Sequence, residues 1–324
     1  MHKFYLITLI LLSLLIADLQ SADLSCNYCS KSISGKYVNL DGKSYHENCY
    51  RTHLQPRCDH CGKPIEGKYT ILDDSKYHDH CYINNIIPKC SICDQPLQGK
   101  YYTDGWGNSF HASHTSELPE CNTCGRLICE ALTQGGFELS DGRYLCAICN
   151  ETAVEGDFLM ASSLSYVRGL LASNGIDNLP HDIPITLVDR HELKRLASSY
   201  SDAMNGFTQQ NIQTRGGKVI SKSSHIYLLD NLPLTMFKAV LAHELMHVYL
   251  FGRDLDLRSD ICEGFCNLGS ELVYKDIPSE YARFRLQNMQ DDQDPDYGYG
   301  YRKMSRLLEQ RGWRYLLATL DQID

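Results

Sequence analysis

The segment His243-Glu244-Leu245-Met246-His247 places two imidazoles and a carboxylate at HExxH spacing. On a helix the histidines fall one turn apart on one face, so both can bind one Zn²⁺ through neutral ring nitrogens while Glu244 takes a proton from water at the metal. The five-residue match is weak by itself, since with 13 His in 324 residues a random HExxH arises in roughly 2% of chains of this size. Its surroundings strengthen it. Leu234, Phe237, Val240, Leu241, Leu245, Val248 and Tyr249 recur at three- and four-residue spacing, Pro233 and Thr235 supply a start and Gly252 a stop. That pattern predicts a buried helix with both histidines on one face. The competing explanation is a core helix whose two histidines are satisfied by hydrogen bonds.

A catalytic zinc usually has three protein ligands and an open fourth position. The extended metzincin pattern would need Gly at position 250 and His at 253, where the chain has Leu250 and Arg253. A polar turn from Arg253 to Asp260 instead leads to a second apolar-periodic segment, Ile261 to Tyr274, containing Cys262-Glu263-Gly264-Phe265-Cys266. Glu263, in the first turn of this predicted helix, is the candidate third ligand, in a Glu-Gly-aromatic setting that resembles the third-ligand helix of gluzincin peptidases. Glu271, Asp256 and Asp260 are the alternatives. Glu271 lies about 12 Å along a helix axis from Glu263 and cannot share a metal with it.

An independent signal occupies the first half. Cys26, Cys58 and Cys90 stand 32 residues apart and each opens a CxxC, with Cys29, Cys61 and Cys93. The first two units continue to His46/Cys49 and His78/Cys81, the third to His111/His114, and a fourth pairs Cys121/Cys124 with Cys146/Cys149. These residues make four closed tetrahedral sets of thiolate and imidazole with no open position, which predicts four structural zinc ions beside the catalytic one. Gly-Lys-Tyr recurs at Gly35, Gly67 and Gly99, followed by Asp-led turns at Asp41-Gly42, Asp73-Asp74 and Asp104-Gly105. The repeat reads as β-hairpins between ligand pairs, each too small to fold without metal. His53, His60, His80 and Cys129 fall outside the pattern and read as surface histidines and a packed free thiol. A disulfide framework would make no use of histidines at ligand positions.

Net charge is −9 and the isoelectric point near 5.8. The basic footprint of nucleic-acid-binding fingers is lacking, which argues against nucleic acid as a partner. All but two of the 15 cysteines precede residue 150, a composition shift that predicts a zinc-binding domain over 23–150 and a second domain over 151–324. The expected class is α+β: an array of zinc-ribbon, LIM-like hairpins, then a mainly helical zincin-like domain with a small sheet. In the second domain, helices are predicted over Phe158–Ala172, Arg190–Ala197, Glu280–Gln290, Lys303–Gln310 and Trp313–Leu320, and strands over Ile185–Val188, Phe207–Thr214 and His225–Leu229. An edge strand beside an HExxH helix can hold an extended substrate backbone by strand addition.

Residues 1–22 carry a weakly basic start, a 13-residue apolar run from Phe4 to Ile16, and Ala22 as a small residue for cleavage. They read as a signal peptide for export to a periplasmic or extracellular space. Gln20 at the −3 position is poor for cleavage, so an uncleaved membrane anchor is the alternative. An oxidising compartment favours disulfides, and prior zinc loading would protect the thiolates.

Taken together, the zinc units, Phe137–Cys149 (FELSDGRYLCAIC), Leu241–Leu250 (LAHELMHVYL), Cys262–Cys266 (CEGFC) and Tyr297–Arg302 (YGYGYR) resemble the DA1 family of LIM-domain peptidases, in a form similar to its bacterial members. The resemblance runs from about residue 26 to the end of the chain. It implies a LIM and a LIM-like zinc domain ahead of a metallopeptidase domain that cleaves selected proteins. It further implies that His243, His247 and Glu263 bind zinc and that Glu244 is the general base. Two departures stand out. The LIM pattern has a two-residue gap between its fourth and fifth ligands, whereas eight residues separate Cys49 from Cys58 and Cys81 from Cys90. Plant members also carry ubiquitin-interacting motifs ahead of the LIM domain, and a signal-like segment stands there instead, so ubiquitin-linked regulation does not transfer.

The expected function is a zinc endopeptidase acting on proteins, with zinc modules that recognise substrates and partners or regulate the catalytic domain. Tyr297 is the candidate hydrogen-bond donor to the oxyanion; Tyr299 and Tyr301 offer the same chemistry, and each is also explicable as a packing residue. The rival reading is a zinc-ribbon adaptor whose peptidase-like domain is inactive, against which the intact Glu244 argues. Zinc storage is a third and weaker one.

Overall fold

The structure, a computed structural model, describes residues 24–197 and 199–323; the signal segment predicted over 1–22 lies outside them. Two compact units result, one running to Tyr102 with Ser109–His111, the other comprising Thr103–Asn108 and the chain from Ala112 onward.

In the first unit the repeat folds as hairpins. Strands β1 (Tyr37–Leu40) and β2 (Lys43–His46) pair antiparallel, as do β3 (Tyr69–Leu72) and β4 (Ser75–His78), and β5 (Tyr101–Thr103) joins β6 (Ser109–His111). Asp41 and Gly42 have φ of 50° and 75°, Asp73 and Asp74 of 46° and 67°. Two successive left-handed residues twist a two-residue turn the same way as its strands, which is why Asp and Gly stand there. A short helix follows the first two hairpins, α1 (Glu47–Cys49) and α2 (Asp79–Asn85), each carrying the last cysteine of its unit.

The second unit opens with α3 (His114–Glu117), α4 (Glu130–Thr133), the hairpin β7 (Gly136–Glu138) and β8 (Tyr144–Cys146), and α5 (Ala147–Asn150). Then come β9 (Ala153–Val154), α6 (Asp157–Ser173), β10 (Ile185–Val188), α7 (Arg190–Leu196), β11 (Gly206–Arg215), β12 (Lys218–Leu229) and β13 (Leu232–Pro233). Four helices end the chain: α8 (Leu234–Gly252), α9 (Ser259–Asp276), α10 (Glu280–Asp291) and α11 (Gly300–Thr319). β12 is central in a mixed three-stranded sheet, parallel to β10 and antiparallel to β11; β13 pairs with β9. Phe237, Leu241, Leu245 and Val248 of α8 are buried with Ile261, Phe265 and Leu268 of α9, Val167 and Leu171 of α6, and Ile226 and Leu228 of β12. The architecture is the α+β class expected from the sequence.

Two differences have physical causes. β12 begins seven residues before its predicted start, because its outer half pairs with β11 away from the core and lacks an apolar alternation to betray it. The last two predicted helices are the two halves of α11, which breaks between them at Gly312, whose φ is 74°. The fourth zinc unit, Cys121 to Cys149, belongs to the second compact unit, so composition and packing divide the chain at different places. Arg143 explains this: its guanidinium, 4% exposed, binds the Asp141 carboxylate at 2.7 Å, the Asp230 backbone carbonyl at 2.9 Å and the Asp230 carboxylate.

Candidate metal centre

α8 and α9 place the three sequence-predicted catalytic ligands together. His243 Nε2 and His247 Nε2 are 3.2 Å apart, and Glu263 Oε2 lies 3.3 Å from the first and 3.6 Å from the second. A tetrahedral zinc with bonds of about 2.0–2.1 Å has ligand–ligand edges of about 3.3–3.4 Å, so the three atoms outline one face of such a site. Glu263 Oε2 is buried without a hydrogen-bond donor, an expensive state unless a cation takes its lone pair. Electrostatics agree. Burial pushes His247 down, yet Cys262, Glu263 and Glu244 outweigh it and hold its pKa well above the usual value. Burial likewise pushes Glu263 up, but His243 and His247 hold its carboxyl well below the usual range. The cluster therefore favours positive charge.

The outer contacts orient the rings. His243 Nδ1–H donates to Asn267 Oδ1 at 3.0 Å, and Asn267 Nδ2 donates to the Tyr297 carbonyl at 3.1 Å. His247 Nδ1 lies 3.7 Å from Cys262 Sγ. With Nδ1 protonated, each Nε2 lone pair is left for a metal. Glu244 is 5% exposed; Thr208 of β11 donates to its Oε2 at 2.6 Å and to its backbone carbonyl at 3.2 Å. A Cβ at Gly206 would sit 2.8 Å from Glu244 Oε1, so a glycine there leaves the carboxylate its space. None of Thr208, Gly206 or Asn267 was singled out from the sequence. Asn267 follows Glu263 by one helical turn, a usable signal, whereas Thr208 and Gly206 approach only through the fold.

The remaining acids are engaged elsewhere. Buried Glu271 accepts from Ser305 and pairs with Lys275, Asp260 pairs with Arg258, and Asp256 is exposed. Among the tyrosines, Tyr297 stacks near His243 at 6.2 Å between ring centroids and is 43% exposed. Burial of its hydroxyl, with Glu263 and Glu244 nearby, raises its pKa, so it stays a protonated donor. Tyr299 is exposed, and Tyr301 is buried with its hydroxyl accepting from Gln290. The YGYGYR and CEGFC segments meet at their glycines: a Cβ on Gly264 would lie 2.3 Å from the Gly300 carbonyl, and one on Gly300 would lie 2.1 Å from the Asp260 oxygen. Their close approach sets Tyr297 beside Glu263.

The zinc units repeat one geometry. His46 Nδ1 lies 3.4 Å from Cys29 Sγ and 3.9 Å from Cys49 Sγ while its Nε2 contacts the Ser32 carbonyl. His78 does the same with Cys61, Cys81 and Pro64. In the third unit His111 Nδ1 is 3.5 Å from Cys93 Sγ, with Pro96 as the carbonyl partner, and Cys90 beside them; His114 opens α3 in the second compact unit, 3.1 Å from Glu117. Cys26, Cys29, His46 and Cys49 form one cluster, Cys58, Cys61, His78 and Cys81 another, and Cys121, Cys124, Cys146 and Cys149 an all-thiol one. Zinc–sulfur bonds of about 2.3 Å give sulfur–sulfur edges near 3.8 Å, the observed separation of Cys124 and Cys146. Burial pushes the Cys26, Cys58 and Cys90 thiols up, but backbone amides more than offset it and bring each down to about 6. These clusters suit structural zinc.

The class of the first two units is that of the LIM domain, whose family profile matches residues 26–86. The match spans both ligand sets despite the eight-residue gap between them. Over 277 residues the chain is 21% identical to protein DA1-related 7 of Arabidopsis thaliana, an alignment covering 66% of this chain and 49% of that protein. The chain thus spans about half the length of this curated relative. It is similar to a DA1-related protein, carries a LIM domain, and holds several Cys/His clusters that suit the same architecture.

Proposed function

We propose that this protein is a zinc-dependent endopeptidase of the gluzincin type that cleaves protein substrates. One observation carries the reading: the triangle of His243 Nε2, His247 Nε2 and Glu263 Oε2, with edges of 3.2, 3.3 and 3.6 Å, beside the buried carboxylate of Glu244. Those three residues would hold the ion, which when bound supplies Lewis-acid polarisation of a water and of the scissile carbonyl. Glu244, held by Thr208, accepts the proton of the attacking water and returns it to the leaving amine. The Tyr297 hydroxyl donates to the oxyanion. β11 is the sheet edge on the side of α8, with Gln210 reaching the His247 carbonyl, and an extended substrate adds to that edge. The zinc modules contact substrates and partner proteins, and residues 1–22 direct export, or hold the chain at a membrane if they are not cleaved.

Wild type and Glu244→Gln should carry the same zinc, about five ions from four closed sets and one open one. Cleavage of an unfolded protein substrate should fall at least about 100-fold in the variant. Equal cleavage by the two would remove Glu244 from the mechanism. About four zincs with no cleavage by the wild type would favour the adaptor.

A further inference from the structure

The second unit contains a cavity of about 200 Å³ outside the metal centre, whose lining includes Asn122, Arg143, Arg190, Asp202, Asn205 and Arg285. Three arginines around one small space are unusual in a chain whose net charge is −9. Arg143 is committed to Asp141 and Asp230. Arg190 and Arg285 differ: each buries Nε with no hydrogen-bond partner. A guanidinium keeps its charge at any physiological pH, and an unpaired buried donor is costly. Burial disfavours the Arg285 charge, but Tyr274, Tyr281 and Cys124 nearby more than offset it, so what stays unsatisfied there is the Nε donor itself. Arg190 is fixed through its amide, which donates to Asp141 at 2.8 Å, but that carboxylate already serves Arg143. Asp202, the one acid on the lining, is exposed.

We infer that this cavity binds a small oxyanion of the phosphate or sulfate class, held by Arg190 and Arg285 with the side-chain amides of Asn122 and Asn205. Guanidinium forks match the oxygens of such ions, and the space, several times the roughly 30 Å³ of a water, admits one. The anion would accept from the unpartnered Nε donors of both arginines and join three elements: the Cys121–Cys124 turn through Asn122, the start of α7 through Arg190, and α10 through Arg285. The inference is independent of peptidase activity.

The test is calorimetric titration of the full-length, zinc-loaded protein with inorganic phosphate and separately with sulfate, at constant ionic strength set with chloride. Saturable binding is expected for the wild type, weakened at least about tenfold in Arg190→Gln and in Arg285→Gln, and unchanged in Arg306→Gln on the exposed side of α11. Zinc content and circular dichroism verify that the variants fold; if Arg285→Gln does not, Arg190→Gln carries the comparison. Absence of saturable binding up to tens of millimolar, equal affinity in wild type and Arg190→Gln, or an equal loss in Arg306→Gln would each overturn the inference.

Discussion

At the residue scale, the reactive groups of the candidate centre depend on neighbours that have no chemistry of their own. Asn267 bridges the His243 ring to the Tyr297 carbonyl. Replacing it with Ala should weaken zinc at this centre about 10- to 100-fold, as losses of outer contacts do, while the Cys/His clusters keep theirs; chelator competition separates the two populations. Thr208→Val keeps the shape beside Glu244 but removes the donor to its buried carboxylate. It should destabilise the fold by about 1.5–3 kcal/mol at neutral pH, and an unchanged urea midpoint would show that water takes over the hydrogen bond. His243, Glu244 and His247 were legible from spacing alone, and Glu263 from its setting one segment later. Their supporting residues were not, because an Asn or a Thr acquires its role from what packs against it.

At the element scale, α9 and α11 approach so closely at Gly264 and Gly300 that neither position has room for a side chain. Gly264→Ala should part the helices, at about 1–3 kcal/mol or more, and shift Tyr297 relative to Glu263. Denaturant unfolding measures the first effect and zinc affinity the second. Arg143 plays the corresponding part for the fourth zinc unit. Arg143→Ala leaves Asp141 buried at 1% side-chain exposure without its counter-ion, so a loss of about 3–5 kcal/mol is expected, again read from denaturant unfolding. Element types followed from periodicity: α8, α9 and β10 lie where the sequence places them. The extra length of β12 did not, since it arises from pairing with β11 away from the core.

For the whole molecule, the two units rest on different forces. In the first, the clusters around Cys26, Val38, Tyr45 and Tyr50, and around Cys58, Ile65 and Cys81, are too small to fold unaided. Structural zinc contributes about 10–16 kcal/mol at such sites. Chelation should therefore open residues 24–102 to proteolysis and hydrogen exchange while the helical core around Phe237, Leu245 and Phe265 stays protected. Equal protection of the first unit with and without metal would refute metal-driven folding there. The sequence by itself determined the ligand pairs, the hairpin repeat and the HExxH helix, because each is a matter of residue types at short fixed spacings. Only the tertiary structure decided that Glu263 rather than Glu271 or Asp260 meets the two imidazoles, that Thr208 holds Glu244, that the fourth zinc unit packs with the helical domain, and that Arg190 and Arg285 share a cavity. Those outcomes depend on how segments far apart in the chain bury their surfaces against one another, and no local spacing encodes that.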